Sequence, residues 1–314
     1  MKQRAAIVGA GISGLTCAVV LAENGFETSI LAEEIGDETN SAAAAAIWYP
    51  YDVSSSAEVI PWAVASYQRF LDLVRQPEIG VSVTELRVFS RLGPIEPPAW
   101  ARSFTTRSLP ESEIPPSFVS GFSIDVPLIE TGKYLEYLSA RLASAGGSIS
   151  SGMHFQELEE VDAGFDLVIN CAGIGARELV PDPEMEPHRG QVAIVEKFDL
   201  PYAIVCDDPP LMYAIPRTND CVFGGTNDIS DDRSADPRTT AQIISECERV
   251  LLRPAPPLIR ERVGLRPARS SGVRVATEKL RDRRTVIHNY GHGGSGFTLS
   301  WGCAQRALEL ALRS

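Results

Sequence analysis

Residues 286–304, VIHNYGHGGSGFTLSWGCA, place four glycines, Gly291, Gly293, Gly294 and Gly296, in one short run directly before an apolar segment that reads as a helix. Glycine carries no Cβ, so its backbone reaches φ > 0 and lies flat against a ligand where other residues collide. A second glycine loop, GAGISG at residues 9–14, stands at the other end of the chain. A single long dinucleotide held at both ends needs two such loops. The plain alternative for the later loop is a helix-entry turn.

The elements around the first loop come in the order a dinucleotide fold requires. A short apolar run at residues 5–8 leads into Gly9, Ala10, Gly11, Ile12, Ser13 and Gly14, and residues 15–21 continue with the apolar density of a buried helix. Residues 27–31 read as a second strand, and Glu33 follows at close to the roughly 20-residue spacing of the acid that bonds the adenosine ribose. An acid here, rather than arginine, argues against a 2′-phosphate. Thr39, Asn40 and Ser41 open a segment with five consecutive alanines, Ala42 to Ala46, followed by Ile47. Small side chains let the backbone approach a bulky ligand, and the loop leaves the carboxyl end of a strand, where open α/β sheets bind ligands. A short alanine helix packed on its neighbours is the alternative. Residues 166–170 form a further compact apolar strand entering the small-residue corner Cys171-Ala172-Gly173. Two separated loops with an acidic ribose ligand suit an extended FAD better than NAD, the first taking the pyrophosphate and the second approaching the flavin ring. Amide donors at a helix N-terminus, from Gly294 to Thr298, would stabilise the electron-rich reduced flavin.

The remaining chain reads as two insertions. From residue 61 to 122 prolines accumulate without a second βαβ rhythm, which predicts a mostly strand-built domain. Residues 131–143 return to a helix with Thr131 as candidate N-cap and Leu135, Leu138 and Leu142 on one face. Residues 179–257 carry strand candidates at 191–196, 203–206, 211–216 and 221–225 and a helix at 236–252. Tyr213, Ile215 and Arg217 alternate along one of these strands and share a face, either as an anion-binding pair or as a cross-strand contact. The expected fold class is α/β: a Rossmann-like FAD-binding domain with a parallel sheet from residues 1–50, 131–178 and 258–314. An interleaved strand-rich substrate domain takes residues 51–130 and 179–257.

At 314 residues, with 44% apolar and 22% charged residues, the chain can bury one large or two ordinary cores. Its net charge of -12 lacks the electrostatic footprint of a nucleic-acid binder. Six dispersed cysteines without a CxxC pair read as buried thiols of a cytoplasmic protein. No apolar run approaches the roughly 18 residues of a membrane span, and the amino terminus does not read as a cleavable signal. His288 and His292, at i and i+4, lack a third ligand at a recognisable spacing, so no metal is expected. No serine elbow or Cys–His pair suggests covalent catalysis. The oligomeric state is left open, a homodimer included.

The run VIHNYGHGGSGFTLSWGCA resembles the signature of the D-amino-acid oxidase family across its whole length. GAGISG, AAIWYPY, DLVINCAG, RGQV, YAIPR, GGT and GLRPAR resemble that family in the same order, so the resemblance covers essentially the entire chain. It implies oxidation of a D-amino acid by hydride transfer from Cα to flavin N5 with no side-chain base. Dioxygen then reoxidises the flavin to give hydrogen peroxide, and water releases a 2-oxo acid and ammonia. By the same resemblance Arg266 clamps the substrate carboxylate, the Tyr213 hydroxyl bonds it, and the Gly294 carbonyl accepts the substrate amine. Tyr49, where the family usually has a polar residue, lies with Trp48 at the flavin edge. Glu33, Glu34, Thr39, Asn40, Ser41, Ala45, Ala46, Ile47, Ala172, Gly173, Gly293, Gly294, Ser295, Gly296 and Thr298 match flavin-contacting positions, with Arg266 beside them.

The sequence departs from the family in two places. Residues 206–212 are shorter than the lid of eukaryotic members and carry no second tyrosine. Asn227 follows GGT, where D-aspartate oxidases carry arginine, which weakens an acidic-substrate reading, although Arg217 could assist an acidic side chain. Neutral and apolar D-amino acids are the expected substrates. A D-aspartate oxidase and a glycine- or sarcosine-type oxidase are the alternatives, and a NAD-dependent dehydrogenase or a silent flavin-binding protein are remoter ones.

Overall fold

In the computed structural model, residues 2–52, 57–76 and 78–314 are described. The chain divides into two compact units, Met1–Val81, Glu130–His188 and Arg266–Ser314 in the first and Ser82–Ile129 and Arg189–Leu265 in the second.

The first unit is built on a six-stranded sheet in the spatial order Arg274–Lys279, Thr285–Tyr290, Leu167–Asn170, Arg4–Val8, Glu27–Leu31, Ser148–Ser150. All pairings are parallel except the Arg274–Lys279 edge. The central strands, AAIV, LVIN and TVIHNY, are buried along their length; the first two are near-continuous apolar runs, as strands covered on both faces usually are, while the third buries Thr285, His288 and Asn289. The register pairs Val8 with Asn170 and His288 with Asn170, so three strands end together at their carboxyl ends. The glycine loops leave from that end. The helix Ile12–Glu23 is buried from Ile12 through Ala22 except at Ser13, which explains why its sequence has no polar stripe.

The 61–122 segment was expected to be mostly strand, yet Val59–Val74 is a helix and belongs to the first unit, whose first segment runs on to Val81 rather than ending at residue 50. Its apolar residues recur at helical spacing, with Val59, Ala63, Tyr67, Phe70 and Leu73 buried. Pro61 gave the opposite impression, but it sits in the first turn, where a missing N–H breaks no helical bond. This helix packs on Gly296–Ala311. There Gly302 lets the backbones approach, since a Cβ would be driven into the Trp62 backbone, and its N–H donates to Ser66 Oγ at 3.0 Å. The helix Thr131–Ser144 forms where expected, but Glu130 is its N-cap. Thr131 instead donates its hydroxyl to the Ala42 carbonyl at 3.2 Å.

The second unit carries a nine-stranded sheet. Its path runs Asp228–Ile229, Met185–Glu196, Asp220–Gly224, Met212–Pro216, Ala203–Cys206, Val81–Ser90, Ser120–Ile129, Thr106–Ser108, and Leu258–Arg269 also pairs with Met185–Glu196. The helix Pro237–Leu251 covers one face. It starts sharply because Asp236 accepts the Arg238 N–H at 2.9 Å and Pro237 opens the first turn. Its residues Ile243, Cys247 and Val250 close a core with Phe89, Phe118, Met212 and Phe223, in which Phe89 and Phe118 stack at 4.8 Å. All six cysteines are free and buried. No helix of the described residues is long and apolar enough to cross a membrane.

Candidate active site

The first glycine loop is a tight turn whose shape depends on absent side chains. Gly9 adopts φ +106° against the carbonyl of Cys171, which a Cβ would approach to 2.5 Å. A Cβ on Gly14 would be driven into the Gly9 carbonyl. The turn therefore closes on the Cys171-Ala172-Gly173 corner. That corner is pinned from below, because Asn170 Oδ1 accepts the Ala172 N–H at 3.2 Å. Gly11 faces Ser41, whose Oγ accepts the Ile12 N–H at 2.9 Å. Ser41 thus ties the alanine-rich segment to the helix start, and a single 3₁₀ turn at Asn40–Ala43 carries it there rather than an alanine helix.

The second loop meets the first. Gly296 lies with its Cα toward Ile12, whose Cγ2 would be 3.4 Å from an added Cβ, and Ser13 Oγ donates to the Asn289 carbonyl at 3.2 Å. Two helices, Ile12–Glu23 and Gly296–Ala311, thus begin side by side, neither capped by its own N-cap side chain, although Ser41 takes the first N–H of the former. Adjacent helix N-termini present partial positive charge and backbone donors, which suits a pyrophosphate and an electron-rich ring system. Ala10, Gly11, Ala172 and Gly173 add small surfaces around them. These residues fit a bound FAD.

Within the second loop Gly293 and Ser295 are buried and Gly294 is exposed, so the loop offers its backbone at one residue. Gly293, at φ +53°, packs so closely on the Asp52 carbonyl that no Cβ would fit. Gly294 lies against the Tyr51 ring and the Arg266 side chain, whose Cδ would be 3.4 Å from a Cβ. The Arg266 guanidinium stands over the Tyr51 ring at 5.6 Å, a cation–π distance. An arginine fork beside an exposed backbone group and two helix N-termini is an arrangement for a small zwitterion next to a cofactor.

Residues 48–52 wall this site, and several bonds hold them. Trp48 Nε1 donates to the Ala63 carbonyl at 3.1 Å. Thr298 Oγ1 accepts the Tyr49 N–H at 3.1 Å and donates to the Tyr49 carbonyl at 3.0 Å, while Ser295 Oγ donates to the Tyr51 carbonyl at 2.7 Å. The Ser295 and Thr298 hydroxyls, matched by sequence to flavin contacts, are thus spent on this wall. Positive φ at Ala46 and Asp52 brackets the segment. Asp52 also pairs with His188 Nδ1 at 2.8 Å, a partnership no sequence spacing announced. Tyr51 closes the AAIWYPY motif but was not singled out there as a site residue, because the resemblance gave a role only to Trp48 and Tyr49.

Other expected residues have different surroundings. Glu33 is mostly exposed and pairs with His154 at 3.1 Å, Thr39 donates its hydroxyl to the Gly36 carbonyl at 2.8 Å, and Glu34, Ala45 and Ile47 are half-buried in the stretch that follows the second strand. Among the described residues no cluster of His, Cys, Asp and Glu could hold a metal. His288 and His292 are both pushed down to about 4 by burial. In the second unit Tyr213 lies in the strand Met212–Pro216. Its ring fills the notch left by Gly224 and Gly225, where a Cβ on Gly225 would sit 2.8 Å from the ring. Arg217 is not available as an anion receptor, because it forms a two-bond pair with Asp220 at 2.6 and 2.8 Å across the hairpin turn.

The family model described as DAO, FAD dependent oxidoreductase, matches residues 4–310. A D-amino-acid oxidase of Rubrobacter xylanophilus is 39% identical over 98% of this chain and 95% of its own length. One of Streptomyces coelicolor is 36% identical over 97% and 95%. Human D-aspartate oxidase is 31% identical over 98% and 94%. The fold is similar to that of glycine oxidase from Geobacillus kaustophilus, with a TM-score of 0.83 at 17% identity over 100% of this chain and 96% of that one. With the two glycine loops meeting over adjacent helix N-termini and a family match spanning nearly the whole sequence, the chain belongs to the DAO family of FAD-dependent oxidoreductases.

Proposed function

We propose that this enzyme oxidises D-amino acids, neutral and apolar side chains preferred, to imino acids. Water then converts these to 2-oxo acids and ammonia, and dioxygen is reduced to hydrogen peroxide. The observation that carries the reading is the packing of Arg266 against exposed Gly294, beside the junction of the two glycine loops. Arg266 receives the carboxylate as a fork, the Tyr213 hydroxyl adds one bond, and the Gly294 carbonyl takes the amine. Three attachments leave one enantiomer with its side chain in free space. Tyr49 borders that space. The loop at residues 9–14, Glu33, Glu34, residues 39–41 and 45–47, Ala172, Gly173, residues 293–296 and Thr298 hold FAD, with backbone donors at the start of the Gly296–Ala311 helix. When bound, FAD supplies the acceptor for the Cα hydride and passes the electrons to dioxygen. The protein contributes orientation, which can remove roughly 7–11 kcal/mol from a barrier in favourable cases. We place the enzyme in the cytoplasm without nucleic-acid or membrane partners, which fractionation tests, and light scattering decides between a monomer and a homodimer.

An acidic substrate finds less support, since Asp220 occupies Arg217 and Asn227 follows GGT. The deciding experiment is anaerobic bleaching of the holoenzyme by D-alanine, D-aspartate, glycine, sarcosine and L-alanine. D-Alanine is expected to bleach fastest. Bleaching by none of them, or by glycine alone, overturns the reading. Arg266→Ala is expected to keep the flavin spectrum and lose kcat/KM by about 30-fold or more, the scale of an unpaired buried charge.

A further inference from the structure

Residues 206–212 connect the strand Ala203–Cys206 to the strand that carries Tyr213, and one side chain grips them along their length. Arg91 Nη1 donates to Cys206 Sγ at 3.1 Å, to the Asp208 carbonyl at 2.6 Å and to the Pro210 carbonyl at 2.7 Å. Its Nη2 pairs with Glu246 of the covering helix, and the guanidinium lies 5.1 Å from the Phe118 ring centre. The loop returns the grip. Asp208 Oδ2 accepts from Ser90 Oγ at 2.8 Å and from the Arg91 N–H at 2.7 Å. Burial alone would raise the Asp208 carboxyl, but the bonds from Ser90, Arg91 and Leu92 hold it below the usual range. Both Arg91 and Glu246 are largely buried, at 11% and 15% side-chain exposure, so this is an inner brace rather than a screened surface pair.

The brace bears on the strand it leads into. Tyr213 comes directly after Met212, paired with Val205 on one side and Gly224 on the other. Its ring fits only the notch over Gly224 and Gly225. A slip of one residue in this hairpin would turn the ring to the opposite face. Chain ends joined by a slack loop permit such slips, whereas a loop held at Cys206, Asp208 and Pro210 does not.

We propose that Arg91 is the positioning residue for Tyr213, fixing residues 206–212 as a rigid strut so that the tyrosine hydroxyl is presented to substrate at one height and angle. The proposal rests on the reading of Tyr213 as a carboxylate ligand. A hydroxyl that binds the carboxylate equally in ground and transition states acts through KM, so loss of the strut raises KM and leaves kcat nearly unchanged.

The test is a double-mutant cycle on the holoenzyme with D-alanine. Arg91→Gln is expected to raise KM by roughly tenfold at near-constant kcat, and Tyr213→Phe to raise it by a similar factor. In the Tyr213→Phe background the further effect of Arg91→Gln is expected to shrink below about twofold, because the strut then has no hydroxyl to place. Hydrogen exchange of the 206–212 amides is expected to quicken in Arg91→Gln, and Arg91→Lys to restore part of the KM. If Tyr213→Phe raises KM while Arg91→Gln leaves it unchanged or adds its full effect, the positioning role is wrong and the substrate reading stands. If Tyr213→Phe leaves KM unchanged, the substrate reading itself fails and takes the proposal with it. Should Arg91→Gln not fold, Glu246→Gln, which removes the anion facing the guanidinium, is measured in the same cycle with the same expected loss of additivity.

Discussion

Nδ1 of His288 lies 3.3 Å from the side-chain nitrogen of Asn170. Since Asn170 Oδ1 is used by the Ala172 N–H, its NH₂ group faces the imidazole, and Nδ1 must accept. His288 therefore carries its proton on Nε2, which donates to Glu278 at 3.1 Å. Protonating Nδ1 would set two donors face to face under the corner that shapes the first glycine turn.

Acid is expected to loosen this enzyme through its histidines. Burial, with Arg274 nearby for His288, holds His288 and His292 neutral with pKa values of about 4. A folded value below the ordinary 6.5 means the unfolded chain binds more protons between the two. Stability is then complete above about pH 6.5 and falls as pH drops toward 4, by at most about 3 kcal/mol for each histidine. Urea unfolding across this range, compared with His288→Gln, measures it. The variant should lose close to one proton of the pH dependence, and an unchanged slope would contradict the buried neutral state.

At Tyr49 the wall of residues 48–52 is held by the Thr298 hydroxyl, which bonds both its N–H and its carbonyl. Thr298→Val keeps the shape of the side chain but leaves the Tyr49 N–H and carbonyl without their partner. A cost of about 1–3 kcal/mol is expected, with Thr298→Ser recovering most of it. Thermal unfolding of the apoprotein reads this term separately from flavin affinity.

Glycines in the second loop are not equivalent. Gly293→Ala forces a Cβ onto the Asp52 carbonyl at positive φ and should cost several kcal/mol of apoprotein stability. Gly296→Ala meets only Ile12 Cγ2 at 3.4 Å and has ordinary helical φ, so the apoprotein should change by less than about 1 kcal/mol. Equal losses in the two variants would refute this steric account.

Substrate preference should not depend on Arg217. Its guanidinium is committed to Asp220 inside the hairpin turn. Arg217→Ala is expected to lower the melting temperature while the ratio of kcat/KM for D-alanine over D-aspartate stays within about twofold. A selective loss of D-aspartate turnover would restore the acidic-substrate reading.

Much of this protein was legible as residue order alone. Gly9, Gly11 and Gly14 between two apolar runs dictate a strand, a tight turn and a helix, because a Cβ would collide with the Cys171 carbonyl at Gly9 and with the Gly9 carbonyl at Gly14. The buried strands at residues 5–8 and 167–170 announced themselves by apolar stretches, and the glycines before the C-terminal helix by their crowding. Sequence misjudged the Val59–Val74 helix, since Pro61 looks like a breaker until its place in the first turn is known. Nor could any spacing pair Arg217 with Asp220 rather than with a substrate, Asp52 with His188, or Arg91 with Cys206, Asp208 and Pro210. Backbone conformation follows from local sterics, which each residue carries with it. Which donor meets which acceptor depends on distant segments arriving side by side, and only the folded chain settles that.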